Sequence, residues 1–553
     1  MLALGSSAAQ LTTRLAVAGA VTSVTASCQQ QQAKSEDLKG PLTRRLTPVG
    51  RASFLTETST NRSIPGIFLR VEGCLKEERL IEILDEKLGA CDRFQSAIVR
   101  SGSSNDVRFR LIPGFKAGGH VFVDGVGSVP EPEAWVSSMM SRPLTVGLDQ
   151  PQWELHVAYT GPEVGPETLL FFRLHHALAD GIALGAMVLS LADEAEEIFG
   201  DFTAQALGSG RKGGRGRKSG TGGGKGRKRT SRLKRILGMV LHVLRALTFQ
   251  ALSLPTVLAK YLRMLSVLLS PRLASQGCFG RELGERKLCA WSGLDPSTGM
   301  RGLDLTTVKE AAQSFSALSS SRRVTLNDTA LLCVTRAIGD FLTAQGLAGP
   351  ERLRCLIPVN LRAGPLSLID GTLQCMASGG LREKVQALQG NKIGVLAVSW
   401  PLRHASDSTA PHLDSISSAM NWWKRSPEPL ISYAIAASAV LLPVSLQQTL
   451  AGVTLGSADC AVSNVMGPDQ RVHIDGHTVT EINGMLPPPP GVPLGVVVSS
   501  YDGRLVFSVN ADAQAVGDAK SILAAIESSV KGFCAEAAAT TTASRKLEVR
   551  TEE

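Results

Sequence analysis

Hydrophobic positions between residues 46 and 199 alternate between strand and helix spacing. An apolar strand pattern at 66–71 leads into a helix pattern at 76–88, where apolar residues recur three or four positions apart. A mostly apolar run at 168–174 predicts a buried strand, and a helix is predicted at 182–198. Three further strand patterns, at residues 108–112, 120–123 and 154–159, lie between the helix pattern at 76–88 and the run at 168–174. This order of elements is typical of an α/β or α+β domain.

The second half repeats the mixed pattern. Helix patterns at 305–318 and 327–345 precede a strand pattern at 353–359. An Asp502-Gly503 turn between two strand patterns predicts a hairpin, and a helix is predicted at 515–533. Because 553 residues exceed what one core supports, we predict two mixed domains, at 45–200 and 285–535.

A basic, glycine-rich linker is predicted at 201–232. Between Gly208 and Arg235 there are twelve Lys or Arg residues and no acid, which predicts disorder. The rest of the chain has 46 basic and 49 acidic residues, so the net charge of +9 is local and does not indicate a nucleic-acid-binding surface. The linker is either a solvated connector or an electrostatic anchor for anionic lipids.

Residues 233–270 are predicted to form an amphipathic helical connector. A helical projection puts its polar residues in one sector and Leu, Val, Ile and Phe in the rest. That sector contains Lys234, Arg235, Gly238, His242, Arg245 and Ser253. Arg245 argues against a membrane-spanning helix, and a second segment, 256–269, follows Pro255. The connector either bridges the two domains or binds a membrane interface.

The termini and the cysteines carry weaker signals. Residues 1–40 are either a targeting peptide or a disordered extension, and a disordered tail is predicted at 538–553. The ten cysteines show no CxxC spacing. Neither a disulfide framework nor a metal site is predicted.

The stretch LHHALADG, from Leu174 to Gly181, is the strongest candidate site. A neutral imidazole can take a proton from a hydroxyl and later return it. The two histidines end a predicted strand, where side chains often reach a cleft. Gly181 suggests a close backbone approach or a positive φ. The alternative is a pair of packing histidines with no chemical role.

HHALADG fits the HHxxxDG motif of the CoA-dependent acyltransferase superfamily. Other fragments, in the same order along residues 45–535, resemble the wax ester synthase/diacylglycerol acyltransferase family. These fragments are Ala52-Ser53-Phe54, Pro151-Gln152-Trp153-Glu154, Asn327-Asp328, Pro358-Val359-Asn360-Leu361-Arg362, Ser463-Asn464-Val465-Met466-Gly467-Pro468 and Ser500-Tyr501-Asp502-Gly503. Each fragment is weak alone, and their order makes the resemblance specific.

The chain also departs from this family. Met466 stands where the family usually has proline, and the basic linker is an insertion. The family often has Gly-Asn after the strand that ends at Arg362. The nearest candidate by position is Gly371-Thr372, which lacks the asparagine.

The resemblance implies an α/β (α+β) fold of two chloramphenicol-acetyltransferase-like domains, each a mixed sheet with helices, and an active-site tunnel at their interface. His176 would be the general base, acting without an acyl-enzyme, a cofactor or a metal. His175 would shape the site, and Asp180 would pair with an arginine, for which Arg362 is the candidate. Asn327 would stabilise the oxyanion from the other domain. The remaining predicted site residues are Gly181 in the catalytic motif, with Asn464 and Arg362 binding substrate.

The resemblance also implies the reaction. A fatty acyl group would pass from acyl-CoA to diacylglycerol, to a long-chain fatty alcohol, or to both, giving triacylglycerol or wax esters. We expect peripheral attachment to endoplasmic reticulum or lipid droplets through Gly208–Leu254, with plastid targeting left open. Two alternatives are an HHxxxDG acyltransferase with a carrier-bound donor and a non-catalytic lipid-binding scaffold.

Overall fold

The computed structural model describes residues 41–89, 91–100, 105–126, 131–160, 166–206, 232–269, 277–280, 282–295, 300–318, 323–362 and 379–552. The extension at 1–40 and most of the basic linker, residues 207–231, lie outside these ranges, so the predictions about them stay predictions.

The described residues form eighteen strands. These are β1 Leu42–Arg45, β2 Gly66–Glu72, β3 Ser96–Arg100, β4 Val107–Leu111, β5 Val121–Val126, β6 Trp153–Tyr159, β7 Glu167–Leu174, β8 Lys287–Trp291, β9 Leu294–Asp295, β10 Met300–Arg301, β11 Leu303–Asp304, β12 Arg352–Asn360, β13 Ile393–Pro401, β14 Cys460–Met466, β15 His473–Ile474, β16 His477–Met485, β17 Leu494–Tyr501 and β18 Arg504–Asp512.

The described α-helices are α1 Pro48–Thr56, α2 Glu77–Leu88, α3 Pro132–Met140, α4 Gly181–Leu189, α5 Ala195–Ala206, α6 Arg232–Leu269, α7 Leu305–Leu318, α8 Leu326–Ala344, α9 Leu381–Leu388, α10 Thr409–Arg425, α11 Glu428–Ser438, α12 Val444–Leu455 and α13 Ala519–Glu552. Short 3-10 helices lie at Asp92–Gln95, Ala117–His120 and Ala439–Leu441.

The first large sheet has six strands in the order β15-β16-β2-β7-β6-β5. The buried strand predicted before the histidines is β7, which lies in the middle of this sheet. Strands β15 and β16 come from the second half of the chain, and β16 pairs antiparallel with β2. The first sheet is therefore completed by the second half, which the sequence did not suggest.

The second large sheet has seven strands, in the order β11-β18-β17-β14-β12-β13 with β8 also on β18. The predicted hairpin is β17–β18, and both turn residues, Asp502 and Gly503, have positive φ. Strands β12, β14 and β17 run parallel, so their carboxyl ends meet at one edge. The mixed α/β architecture predicted from the sequence is confirmed.

Each large sheet has its own hydrophobic core. In the first, the predicted helix face Leu80, Ile83, Leu84 and Leu88 of α2 is buried beside Trp153. In the second, α8 and α13 pack with the strands around Phe507. Two cores fit a chain of this length.

A buried ionic network ties β6 to β7 below the motif. The Glu154 carboxylate accepts hydrogen bonds from Arg173 Nε at 2.9 Å and from His156 Nε2 at 3.0 Å. Burial alone would raise the pKa of Glu154, but the His156 hydrogen bond and the Arg173 charge lower it to about 2. The carboxylate therefore stays ionised at any pH near neutrality, and it holds the strand that leads to His175.

Two helix predictions were wrong in extent. The single helix predicted at 182–198 breaks between α4 and α5, because Asp193 N donates to His473 O and Glu194 accepts from His473 N. Helix α13 runs to Glu552 through the predicted disordered tail. Residues 538–552 contain four Thr, but nine of the fifteen are Ala, Leu, Arg, Lys or Glu, which favour helix, and Thr541 also contacts Ser314 in α7.

The connector was predicted as two segments but forms one helix, α6, which continues through Pro255. Ser253, placed in the predicted polar sector, is buried against the protein with Val257. Among the described helices, none is both long enough and apolar enough to cross a membrane. The described cysteines are free thiols, and six of the eight are buried.

Candidate active site

The LHHALADG stretch forms the turn between β7 and α4. The His176 N–H donates to Ser63 O at 2.6 Å, and Leu178 N donates to His175 O at 2.9 Å. Asp180 is the N-cap of α4, and its Oδ1 accepts from Ala183 N at 3.0 Å. These bonds fix both histidines at the end of the strand, as the sequence predicted for this stretch.

Both nitrogens of His175 are occupied. Its Nδ1 accepts from Ala177 N at 2.9 Å, so Nε2 carries the hydrogen and donates to Glu57 Oε2 at 3.0 Å. The ring is buried and meets Phe54 edge to face, with centroids 5.5 Å apart. With no nitrogen left to exchange a proton, His175 has the geometry of a packing residue.

His176 is different, because its ring borders a cavity. Its Nδ1 is buried and has no hydrogen-bond partner among the described residues. Burial lowers the pKa of His176, although the charge of Asp180, its own main-chain carbonyl and the Asn391 side chain act in the opposite direction. The imidazole is therefore neutral at physiological pH, as a general base must be.

Asp180 forms a buried ion pair with Arg362, which comes from the other half of the chain. Arg362 Nη2 lies 2.9 Å from Asp180 Oδ2, and Arg362 Nε donates to Leu388 O at 3.1 Å. Lys392 N also donates to Asp180 Oδ2 at 2.9 Å. Arg362 thus faces Asp180 and does not border the cavity, so its predicted substrate-binding role has no support in the geometry.

The segment Gly390–Lys392 holds the motif from the second half. Asn391 Nδ2 donates to His176 O at 2.5 Å, and Gly390 forms a β-bridge with Ala179. Gly390 has φ of +85°, and a Cβ there would lie 2.9 Å from the Arg93 guanidinium, so glycine is required. Residues 363–378, which contain Gly371-Thr372, lie outside the described ranges, and the Gly-Asn pair at the motif is Gly390-Asn391.

The cavity beside His176 measures about 190 Å³ and lies between the two halves. Its first wall is α4, with Ile182, Leu184 and Val188, and β16 forms another with Ile482 and Met485. Most of the lining is aliphatic. A pocket of this kind accepts a hydrocarbon chain and excludes water from the imidazole.

Several polar side chains also border the cavity. Asn464, predicted to bind substrate, lines it, as do Asn360, Ser499 and Ser500. The hydroxyl oxygens of Ser499 and Ser500 are buried without a hydrogen-bond partner among the described residues. They are therefore free to bind a polar group of a ligand. Asn360 and Ser500 lie in fragments that carry the family resemblance, but neither was predicted to be a site residue, and Ser499 lies outside those fragments.

Two predicted site residues are placed differently from expectation. Asn327 lies at the start of α8, and it is not among the residues lining the cavity. Its Nδ2 is buried without a partner in the described part of the chain, so its predicted oxyanion role has no support in the geometry. Gly181 lines the cavity, but its φ is not positive and a Cβ would meet only Val465 Cγ2, at 3.7 Å. Neither of the two features suggested for Gly181, a close backbone approach or a positive φ, is found.

The chain is similar in sequence to several known proteins. Residues 389–532 match the sequence model of the WS/DGAT C-terminal domain. A Mycobacterium tuberculosis protein named probable diacyglycerol O-acyltransferase tgs1 is 24% identical over 501 residues, covering 87% of this chain and 93% of that protein. Wax ester synthase/diacylglycerol acyltransferase 2 of Arabidopsis thaliana is 27% identical over 168 residues, 29% of this chain and 32% of that protein.

Solved structures show the fold. A wax ester synthase/diacylglycerol acyltransferase from Marinobacter aquaeolei superposes with a TM-score of 0.54 at 13% identity, covering 90% of this chain and all of that one. The first condensation domain of the calcium-dependent antibiotic synthetase gives 0.52 at 14% identity, covering 90% of this chain and 97% of that one. The predicted two-domain architecture is confirmed.

The sequence matches and the shared fold agree with the order of motif fragments along this chain. The chain is therefore similar in sequence to O-acyltransferases of the wax ester synthase/diacylglycerol acyltransferase family, and it shares their fold.

Proposed function

We propose that this protein transfers a fatty acyl group from acyl-CoA to the hydroxyl of diacylglycerol, of a long-chain fatty alcohol, or of both. The observation that supports this most directly is His176 on the wall of an aliphatic cavity. His175 and Asp180 are fully engaged in hydrogen bonds, so His176 is the motif side chain left for proton transfer.

The proposed step is a direct transfer. His176 accepts the hydroxyl proton of the acceptor as its oxygen attacks the thioester carbonyl carbon, forming a tetrahedral oxyanion. The C–S bond then breaks, the ester is released, and the proton passes from His176 to the CoA sulfur. We assign both transfers to Nε2, because Nδ1 is buried. Acyl-CoA is a co-substrate here, and the step needs no cofactor.

The oxyanion requires a hydrogen-bond donor, and loss of one such donor typically costs about 2.7–4 kcal/mol of transition-state stabilisation. Asn464 borders the same cavity as His176 and can donate through its amide. The hydroxyls of Ser499 and Ser500 are buried there without a partner in the described residues. We propose these three side chains as the candidates in place of Asn327.

The proposed donor is free acyl-CoA, and the proposed products are triacylglycerol, wax esters or both. The aliphatic lining supports a hydrocarbon chain, whether it belongs to the acyl group or to the acceptor. A fold shared with a condensation domain leaves a carrier-bound donor as the alternative. Turnover of free palmitoyl-CoA with purified protein and no carrier would exclude that alternative and the non-catalytic scaffold together.

Replacing His176 with alanine should lower kcat for palmitoyl transfer to hexadecanol or diacylglycerol by about 10²–10⁴-fold, because the proton acceptor is lost. The rate is followed as CoA thiol released and ester formed. His404→Ala is the matched control, since His404 is a partly exposed histidine paired with Asp340 outside the cavity. Undiminished activity in folded His176→Ala protein would contradict the assignment.

The pH profile of kcat/KM should report His176 in the free enzyme. Only the neutral imidazole accepts a proton, and burial lowers the pKa of His176. We therefore expect activity to persist below pH of about 6.5, the ordinary histidine value, and to fall only at a more acidic pH. An acidic limb at or above that value would show that the ring is not buried as described.

We also propose that the protein works at a membrane or lipid droplet surface, peripherally, with the endoplasmic reticulum as the expected compartment. The proposed substrates are hydrophobic and reside in membranes. The twelve basic residues between Gly208 and Arg235 would contribute about 1 kcal/mol each near an anionic surface. Nine of these basic residues precede α6 and three lie in its first turn, so the basic segment adjoins the amphipathic helix, which supports an anchor there.

Deleting residues 208–231 should weaken binding to vesicles that contain phosphatidylserine, with little change on neutral phosphatidylcholine vesicles. The difference in binding between the full chain and the deletion should disappear at high salt, because salt screens the attraction between basic residues and anionic lipids. Co-sedimentation at low and high salt measures the loss of binding and its dependence on salt. Equal binding of the full chain and the deletion to anionic vesicles would leave the segment a solvated connector.

A further inference from the structure

An uncharged helical hairpin lies on the protein surface in the second half of the chain. It consists of α11, the 3-10 helix Ala439–Leu441 and α12. Residues 429–458 include no charged side chain, and among residues 430–452 Gln447 alone is buried. Surface helices of soluble proteins normally expose charged residues, so this composition needs an explanation.

The hairpin is held firmly against the first half. Arg51 Nη2 donates to Ala436 O and Ala437 O, at 3.2 and 3.0 Å. Asn105 Nδ2 donates to Val440 O and Leu442 O, at 2.8 and 3.0 Å. These bonds satisfy carbonyls around the tip, and Leu441 at that tip is left 82% exposed.

Helix α6 also exposes large apolar side chains. Its inner side is anchored by Lys260, whose ammonium group contacts Glu428 and lies 4.4 Å from the centroid of the Trp423 ring. Its outer side is lined with exposed leucines between residues 244 and 262: Leu244, Leu247, Leu252, Leu254, Leu258 and Leu262. The polar anchor thus faces the protein and the apolar side faces outward, the reverse of a helix that packs on a core in water.

The two elements adjoin, since α6 packs on α12. Of the fourteen large apolar side chains that are exposed in the described residues, nine lie on α6 and the hairpin. Soluble monomers seldom expose apolar patches of more than a few hundred Å² without a partner. We call this surface the apolar face: the six exposed leucines of α6 with Ile435, Leu441 and Leu446.

The charges on and around the apolar face indicate which kind of partner it binds. Helix α6 contains six Lys or Arg residues and no acid, and the hairpin has no charge outside Glu428, which Lys260 neutralises. An apolar face flanked by basic residues matches the acyl and headgroup layers of a phospholipid surface. Helices α11 and α12 have 11 and 12 residues, too short to cross the hydrocarbon layer of a bilayer.

We propose that the apolar face docks onto a phospholipid surface, with α6 and the tip of the hairpin lying at the boundary between headgroups and acyl chains. The choice of partner rests on the proposed lipid chemistry. The contact itself uses residues outside the cavity and the basic linker, so it can be measured without turnover.

The test is co-sedimentation of the full chain with large unilamellar phosphatidylcholine vesicles at high salt, where binding through basic residues is screened. Leu441→Asp and Leu252→Asp should each lower the partition coefficient by roughly tenfold or more, because each removes a leucine from the apolar layer. Both leucines are at least 75% exposed, so the substitutions leave the folded protein intact. Thermal unfolding of each variant checks that the fold is intact.

Leu347→Asp is the matched control, because Leu347 is 52% exposed on the turn after α8, outside the apolar face. It should bind vesicles as the unsubstituted chain does, and so should His176→Ala, which separates docking from catalysis. Unchanged binding by Leu441→Asp and Leu252→Asp, or no binding by the unsubstituted chain, would overturn the proposal. A dimer that Leu441→Asp dissociates without altering vesicle binding would also overturn it, and would assign the face to a second copy.

Discussion

The buried ion pair between Asp180 and Arg362 is the contact on which the site depends. It joins the motif turn of the first half to the end of β12 in the second half, with a distance of 2.9 Å between Arg362 Nη2 and Asp180 Oδ2. Removing one partner from such a pair typically costs about 3–5 kcal/mol, because the other charge is left buried alone. Asp180 also caps α4, so the same carboxylate fixes the helix that forms one wall of the cavity.

The cavity exists only where the two halves meet. Strand β16 leaves the second half and completes the first sheet, carrying Ile482 and Met485 to the cavity wall. Asn391, also from the second half, holds the main-chain carbonyl of His176. Neither half therefore contains a complete site. The same joining of halves recurs at the surface, where the hairpin of the second half is bonded to Arg51 and Asn105 of the first.

The sequence predicted the structural features that depend on neighbouring residues or on a recognised motif. The apolar run before His175 is a central strand, Asp502-Gly503 forms the positive-φ turn of a hairpin, and Asp180 pairs with Arg362 as the resemblance implied. Contacts between distant segments were not predictable in this way. Asn391 lies 29 residues beyond Arg362, and only the fold brings the Gly390-Asn391 pair to the motif.

Other failures have the same origin. Hydrogen bonds from the β15–β16 region break the helix predicted at 182–198, and packing on α7 extends α13 past its expected end. The helical projection of α6 found a polar sector but not its direction, which depends on where Lys260 meets Glu428. Asn327 was placed by resemblance alone, and no local signal in the sequence gives its distance from His176.

The two halves of the chain are joined at the site by the Asp180–Arg362 pair. The direct measurement is a double-mutant cycle on kcat/KM for palmitoyl transfer, comparing Asp180→Asn, Arg362→Gln and the double variant in folded protein. If the pair acts as one unit, each single variant should lose most of the activity, and the double variant should be no worse than the poorer single one. Losses that multiply in the double variant would show that the two residues act separately and would contradict the account.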